Sequence, residues 1–211
     1  MALVSVITPM YNAEKFISQS IKSVQSQTFT DWEMWVIDDC SSDNSYGTAM
    51  EMASLDSRIK VLKNEKNSGQ AISRNMGVEK STGRFICYLD ADDLWKANKL
   101  EEQLNFMRAY DCALSFTSYE HILTDGMPTG KIIHAPAHID YAGLLKSNVI
   151  GCLTIMYDTK LCGKLWAPPV MRENDYILWL SVLKRGLKAS GINKVLAYYR
   201  TGHSSVSKKT K

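Results

Sequence analysis

Long apolar runs are missing from this sequence. No stretch of its 211 residues approaches the ~20 consecutive apolar positions that a membrane-crossing helix needs. Met1-Ala2-Leu3-Val4-Ser5 has neither a basic cluster nor the long apolar core of a secretory leader. Cysteine is scarce and unpatterned. The five (Cys40, Cys87, Cys112, Cys152 and Cys162) are odd in number and show no C-x-x-C spacing, which argues against a disulfide framework or a zinc site. Cys87, Cys112 and Cys152 sit in apolar runs, as reduced core thiols of a cytosolic protein do. The absence of G-x-G-x-x-G and of G-x-x-x-x-G-K-[ST] takes support from a Rossmann dinucleotide site and from a P-loop. The absence of G-x-S-x-G speaks against a serine hydrolase. There is no internal repeat and no low-complexity segment.

What is present is ordinary globular composition, 45% hydrophobic and 22% charged, at a length suited to one domain or a domain with a small appendage. The net charge of +3 is unevenly placed. From Lys184 to Lys211 there are eight Lys or Arg and no Asp or Glu, whereas the first 183 residues hold 17 basic against 22 acidic groups. A basic tail on an acidic body suits an anionic partner near that end, phosphates or a membrane surface.

Short apolar runs alternate with amphipathic ones. Val4 to Thr8, Glu33 to Ile37, Ile59 to Leu62 and Arg84 to Leu89 read as strands. Asn12 is placed to cap a first helix, with Glu14 in its first turn and Phe16, Ile17, Ile21 and Val24 on one face. Gln70 to Lys80 and Lys99 to Tyr110 read as further helices. This order predicts an α/β fold with a mostly parallel, Rossmann-like sheet covered on both faces. The later part is less regular. Cys112 to Ser118, Cys152 to Tyr157 and Val195 to Arg200 read as strands, and Asp175 to Arg185 as a buried helix stopped by Gly186. A soft boundary near Tyr110 divides residues 1–110 from a smaller half, 111–211, packed against the first.

Ligands of such sheets sit beyond the carboxyl ends of the strands, so the residues there carry the chemistry. Leu89-Asp90-Ala91-Asp92-Asp93 places three carboxylates after an apolar strand, where Asp90 and Asp92 converge if the strand alternation continues. Clustered carboxylates repel unless a cation neutralises them, and hard oxygen ligands suit Mg²⁺ or Mn²⁺ alongside substrate phosphates. In Ile37-Asp38-Asp39-Cys40-Ser41-Ser42-Asp43, Asp39 is placed to accept from a base or a ribose hydroxyl, and Ser41, Ser42 and Asp43 to cap a helix. Asn67-Ser68-Gly69 opens a helix whose free N–H groups suit an anion, with Arg74 one turn in. Arg172-Glu173-Asn174-Asp175 opens another helix, where Asp175 is a candidate general base and Glu173 its rival. His121, His134 and His138 read as surface or structural; His203, in the basic tail, is placed to reach a metal or a diphosphate.

Taken in order, Val4-Ser5-Val6-Ile7-Thr8-Pro9-Met10-Tyr11-Asn12, Ser26-Gln27-Thr28-Phe29, Ile37-Asp38-Asp39, Arg74-Asn75-Met76-Gly77 and Leu89-Asp90-Ala91-Asp92-Asp93 resemble the family 2 inverting glycosyltransferases of GT-A fold. Asn174-Asp175-Tyr176 and Tyr199-Arg200-x-x-His203 are similar to bacterial members that build capsule, teichuronic acid or lipopolysaccharide glycans. The resemblance implies a metal-dependent enzyme that moves a sugar from a UDP-sugar to a hydroxyl of a glycan or lipid-linked glycan. It implies that residues 1–110 bind the nucleotide-sugar and 111–211 the acceptor. Thr8, Pro9, Tyr11 and Asp39 would hold uracil and ribose. Arg74 would approach the phosphates or the sugar, and Asp90 the ribose or the sugar. Asp92 and His203 would hold Mn²⁺ or Mg²⁺, and Asp175 would be the base. The family often has Glu or Gln where this chain has Asn174. Many relatives continue into amphipathic helices that touch the membrane, so an end at Lys211 suggests a short member or a shortened chain. A cytoplasmic protein in peripheral contact with anionic membrane is expected, with no nucleic-acid partner. A sugar-phosphate nucleotidyltransferase and a non-catalytic nucleotide-sugar- or glycan-binding subunit are the rival readings.

Overall fold

Four strands of the first half line up in parallel. The computed structural model describes residues 2–202. β1 (Val4–Met10), buried at every position, lies between β2 (Trp32–Asp38) and β4 (Phe85–Tyr88), and β3 (Ile59–Lys63) flanks β2. Near-continuous apolar character is what a parallel strand covered on both faces requires. Helices α1 (Ile17–Gln25), α2 (Ser45–Leu55) and α3 (Gln70–Lys80) make the crossovers.

The sheet continues across Tyr110. β4 pairs antiparallel with β9 (Met156–Asp158), β9 with β6 (Leu114–Ile122), and β6 runs parallel to β10 (Ala189–Arg200). β5 (Leu94–Trp95) closes the far edge against β10, while β7 (Pro128–Ile133) and β8 (His138–Ile139) pair with β6 and β10. Among the described residues the result is one ten-stranded sheet, parallel in its first half and mixed in its second. α4 (Lys99–Tyr110) covers one face with α1 and α2, and α7 (Asn174–Lys184) covers the other with α3. α5 (Tyr141–Lys146) and α6 (Thr159–Cys162) are short connectors. Alternation along β1 sends Val4 and Val6 into one core and Ile7 into the other.

Several expectations need correcting. Asn12 does not cap α1; it sits at φ 48°, and the helix begins at Ile17 behind Phe16. Its side chain instead accepts from the Ser42 N–H at 2.9 Å while its own N–H donates to Ser41 Oγ at 3.0 Å, joining two loops. Helix α2 was not legible because it has almost no apolar stripe, burying only Ser45 and Ala49. Asp43 does serve its entrance, accepting from the Ser45 N–H at 3.0 Å. Cys152–Thr154 is a 3₁₀ turn and the strand there is only Met156–Asp158, since a short buried apolar run has no period that separates the two. β10 starts six residues earlier than Val195, and the bulges around that residue break the alternation that would have announced it.

Gly77 lets α3 pack tightly against the sheet. A Cβ there would stand 2.5 Å from Ile7 Cγ2 and 3.5 Å from Ile37 Cγ1. Gly77→Val is expected to cost about 1–3 kcal/mol by overpacking, read as a lower urea midpoint at unchanged slope.

Lys99 is fully buried over Trp95, its Nζ 4.2 Å from the ring centroid, and hydrogen-bonds Gln103 Oε1. Burial lowers its pKa from 10.5 to about 8. Between those values the unfolded chain holds the proton and the folded chain does not, so this residue's contribution to stability rises with pH across that window. Lys99→Met is therefore expected to be stabilised relative to wild type at pH 7, with the gap closing between pH 8 and pH 10 in paired unfolding curves.

Candidate active site

The loops after β1, β2 and β4 leave the same edge of the sheet, and each is tied down differently. Thr8, Pro9 and Met10 are buried in β1, and the Thr8 hydroxyl has no hydrogen-bond partner among the described residues. Tyr11 follows them with half its surface exposed. The Asp39 N–H donates to Met10 O at 2.7 Å, so the ends of β1 and β2 stay joined beyond the ladder. The Asp39 side chain is buried. Its Oδ1 accepts from Asn64 Nδ2 at 2.7 Å and the Ser68 N–H at 2.9 Å, and its Oδ2 from the Gly69 N–H at 2.8 Å. The N–H groups of Ser68 and Gly69, expected to face an anionic ligand, are thus committed to a carboxylate of the protein itself. Gly69 meets this geometry at φ 90°, a region favourable only to glycine.

From this anchored start α3 presents Gln70 and Arg74 to the turn after β4. Arg74 is 3% exposed. Its Nη2 donates to Asp90 Oδ1 at 2.7 Å and its Nη1 to Asn174 Oδ1 at 2.7 Å, and Gln70 Nε2 donates to the same Asp90 oxygen at 2.9 Å. Burial works against the guanidinium charge, but Asp90 and Asp175 more than offset it and its pKa is raised. Burial pushes the Asp90 carboxyl up; Arg74 opposes that, and Asp92 and Asp175 add to it.

The strand ends at Tyr88, so Asp90 and Asp92 do not converge by strand alternation. They occupy a turn in which the Asp93 N–H donates to Asp90 O at 3.1 Å. Arg200, wholly buried at the end of β10, shapes that turn. Its Nε donates to Asp92 O at 2.7 Å, its Nη1 to Thr124 O at 2.7 Å, its Nη2 to Gln19 Oε1 at 2.9 Å, and its N–H to Asp93 Oδ1 at 2.8 Å. Burial, then the charges of Asp92 and Asp90, hold the Asp93 carboxyl well above the usual carboxylate range.

Arg74, Asp90, Asp92 and Asp175 line one cavity of about 370 Å³, with Glu173 and Asn174 beside Asp175. Asp175 stands in the first turn of α7, behind Glu173 in the left-handed region at φ 56°. Thr8, Pro9, Tyr11 and Asp39 do not line this cavity; they lie at the ends of the two neighbouring strands and reach it through Asp39 and α3. His203 falls outside the described residues, as does most of the basic tail. Sequence reasoning assigned no role to Gln70, Tyr119, Tyr199 or Arg200. Tyr119 and Tyr199 complete the cavity wall, with His121 packed against both at 5.8 and 5.3 Å between ring centroids. Tyr199 and Arg200 stand in the Tyr199-Arg200-x-x-His203 motif without an assigned role, and nothing local marks Tyr119; strand pairing brings the two tyrosines together. Among the described residues no three His, Cys, Asp or Glu side chains are grouped so as to hold a metal alone.

The family model described as Glycosyl transferase family 2 matches residues 5–156. TuaG of Bacillus subtilis (strain 168), named as a teichuronic acid biosynthesis glycosyltransferase, is 44% identical over 205 residues, covering 97% of this chain and 81% of that protein. The Escherichia coli protein named UDP-Glc:alpha-D-GlcNAc-diphosphoundecaprenol beta-1,3-glucosyltransferase WfgD is 44% identical over 206 residues, 97% of this chain and 79% of that one. The fold matches S. aureus TarS 1-349, solved in complex with UDP-GlcNAc, at a TM-score of 0.81 and 23% identity, over 100% of this chain and 62% of that chain. With an α/β sheet of this topology, an acid-lined cavity at its carboxyl edge and these matches, the chain belongs to glycosyltransferase family 2 and has the GT-A fold.

Proposed function

We propose that this enzyme moves a sugar from a UDP-sugar to a hydroxyl of a glycan or lipid-linked glycan acceptor, with inversion, in cell-surface polysaccharide synthesis. The observation that carries the reading is the single cavity lined by Asp90, Asp92, Arg74 and Asp175, where donor-side and acceptor-side groups face one space. The names of the two relatives support the process, and WfgD's name supports UDP-glucose as donor and a lipid diphosphate-linked GlcNAc as acceptor.

On this reading residues 1–110 bind the donor. Thr8, Pro9 and Tyr11 flank uracil and ribose. Asp39 accepts from the base, since a carboxylate has about four acceptor positions and three hydrogen bonds are already made. Asp90 keeps its Oδ2 for a donor hydroxyl while Arg74 holds its Oδ1. Asp92 would offer a hard oxygen to a divalent ion, and His203, outside the described residues, would be the second protein ligand, a small protein share that suits Mg²⁺ or Mn²⁺ bound together with a diphosphate. When bound, such an ion offsets the charge on the departing diphosphate.

Residues 111–211 take the acceptor. Asp175 accepts the proton of the acceptor hydroxyl, whose oxygen bonds to the anomeric carbon as the bond to UDP oxygen breaks; one displacement inverts that centre. A rigid helix suits a base, because a fixed carboxylate loses little by ordering. No described helix is long and apolar enough to cross a membrane. On the same reading the reaction runs at the cytoplasmic face of the cell membrane, where anionic lipid would attract the basic tail.

UDP release measured with Mn²⁺ and a panel of UDP-sugars tests the reading. Asp175→Asn is expected to lower transfer by about 10²–10⁴-fold while UDP still binds. Asp92→Ala is expected to abolish the metal-dependent part of UDP affinity in calorimetry. Full transfer by either variant removes its assigned role.

A further inference from the structure

Residues 165–173 lead into α7 without regular structure of their own, apart from bends. Met171, Arg172 and Glu173 of this strap line the cavity together with Asn174 and Asp175. The strap is partly buried. Leu165 and Ala167 are buried, but Trp166, Val170 and Met171 stand exposed, Met171 at 86%. Its internal ties are short-range: the Val170 N–H donates to Pro168 O at 2.7 Å and Asn174 Nδ2 to Val170 O at 3.5 Å.

The Leu165 N–H donates to the Tyr157 hydroxyl of β9 at 3.4 Å, and α3 adds a further hold. Asn75 Nδ2 donates to Ala167 O at 2.9 Å while the Ala167 N–H donates to Asn75 Oδ1 at 2.8 Å. The side-chain amide thereby replaces a strand partner, saturating both polar groups of one backbone unit. One residue earlier, Arg74 grips Asn174 at the other end of the strap. Lys164 Nζ donates to Glu79 O and Ser81 O at 2.9 and 3.0 Å, so the segment before the strap is fixed to the end of the same helix. α3 is itself fixed, at its start by Asp39 and along its length by Gly77 against Ile7.

The geometry points to Asn75 as a positioning residue of the transfer reaction: by clamping Ala167 it sets how the strap enters α7 and so where Asp175 stands relative to Asp90 and Asp92. This rests on the reading of Asp175 as the base. Asn75 does not line the cavity, so its effect runs through the backbone and not through the donor.

The test measures kcat and donor KM for transfer, UDP affinity by calorimetry and the melting temperature in Asn75→Ala and Asn75→Asp. Asn75→Asp keeps the size and the acceptor but faces Ala167 O with a second acceptor; it guards against a fold defect peculiar to the truncation. Both variants are expected to lose about tenfold or more in kcat, since small displacements of a reacting group are costly, with donor KM and UDP affinity within about twofold. In an Asp175→Asn background, Asn75→Ala is expected to change the residual rate by less than about twofold, because the group it positions is gone. The inference falls if kcat is unchanged in both variants, if kcat and UDP affinity fall together, if both variants fail to fold, or if Asn75→Ala costs the same factor with and without Asp175. Full transfer by Asp175→Asn would overturn the base assignment and this inference with it; normal transfer by the Asn75 variants beside an inactive Asp175→Asn overturns the inference alone.

Discussion

Arg74 is a buried cation, and the carboxylate it meets belongs to the turn on which the cavity depends. Removing a guanidinium from water is expensive, and so is holding Asp90 near Asp92 and Asp175; the pairing of the two offsets much of both costs, with Asn174 and Gln70 adding hydrogen bonds. The remaining Nη of Arg74 finds Asn174, one hundred residues along the chain. One side chain of α3 therefore ties the turn after β4 to the start of α7. The geometry of the cavity follows from that constraint, because neither the turn nor the strap before α7 has much regular backbone bonding.

A second arginine acts on the opposite side of the same turn. Where Arg74 hydrogen-bonds the Asp90 carboxylate, Arg200 bonds the turn's backbone and Asp93. It takes the backbone carbonyl of Asp92 and returns its own N–H to Asp93. Its other donors go to Thr124 and Gln19, so a β10 residue joins the β6–β7 connection to α1 through the acidic turn. The parallel half of the sheet brings the acidic loops to one edge, and the mixed half delivers the cation that shapes them. This is why a sheet continuous across Tyr110 matters: β10 can clamp the turn after β4 only because β9 and β6 carry the ladder that far.

Legibility followed periodicity. β1, α3 and α4 read correctly because their apolar spacing has one interpretation. α2 and the Cys152–Thr154 turn did not, since small residues or a short buried run suit several structures equally. Asn12 shows a further limit. A residue type that suits a cap also suits a loop staple, and only the position of Ser41 and Ser42 across the gap decides between them. Among candidate site residues, Asp90, Asp92 and Asp175 stood out as carboxylates after strands or at a helix start. Tyr119, Tyr199 and Arg200 had no such mark.

The succession of β1, α1, β2, β3, α3, β4 and α4, the parallel first half and the acids at strand ends were determined by the sequence alone, because hydrophobic period and local chemistry are properties of neighbouring residues. Tertiary structure decided which of those acids share a space and which are already spoken for. Asp39 is engaged by the loop that opens α3, Asp90 by Arg74, and Asp175 is held through Asn174 and the strap clamped by Asn75. These bonds join residues 16 to 100 positions apart, and a contact at such separation is set by how helices seat on the sheet, which no local pattern encodes.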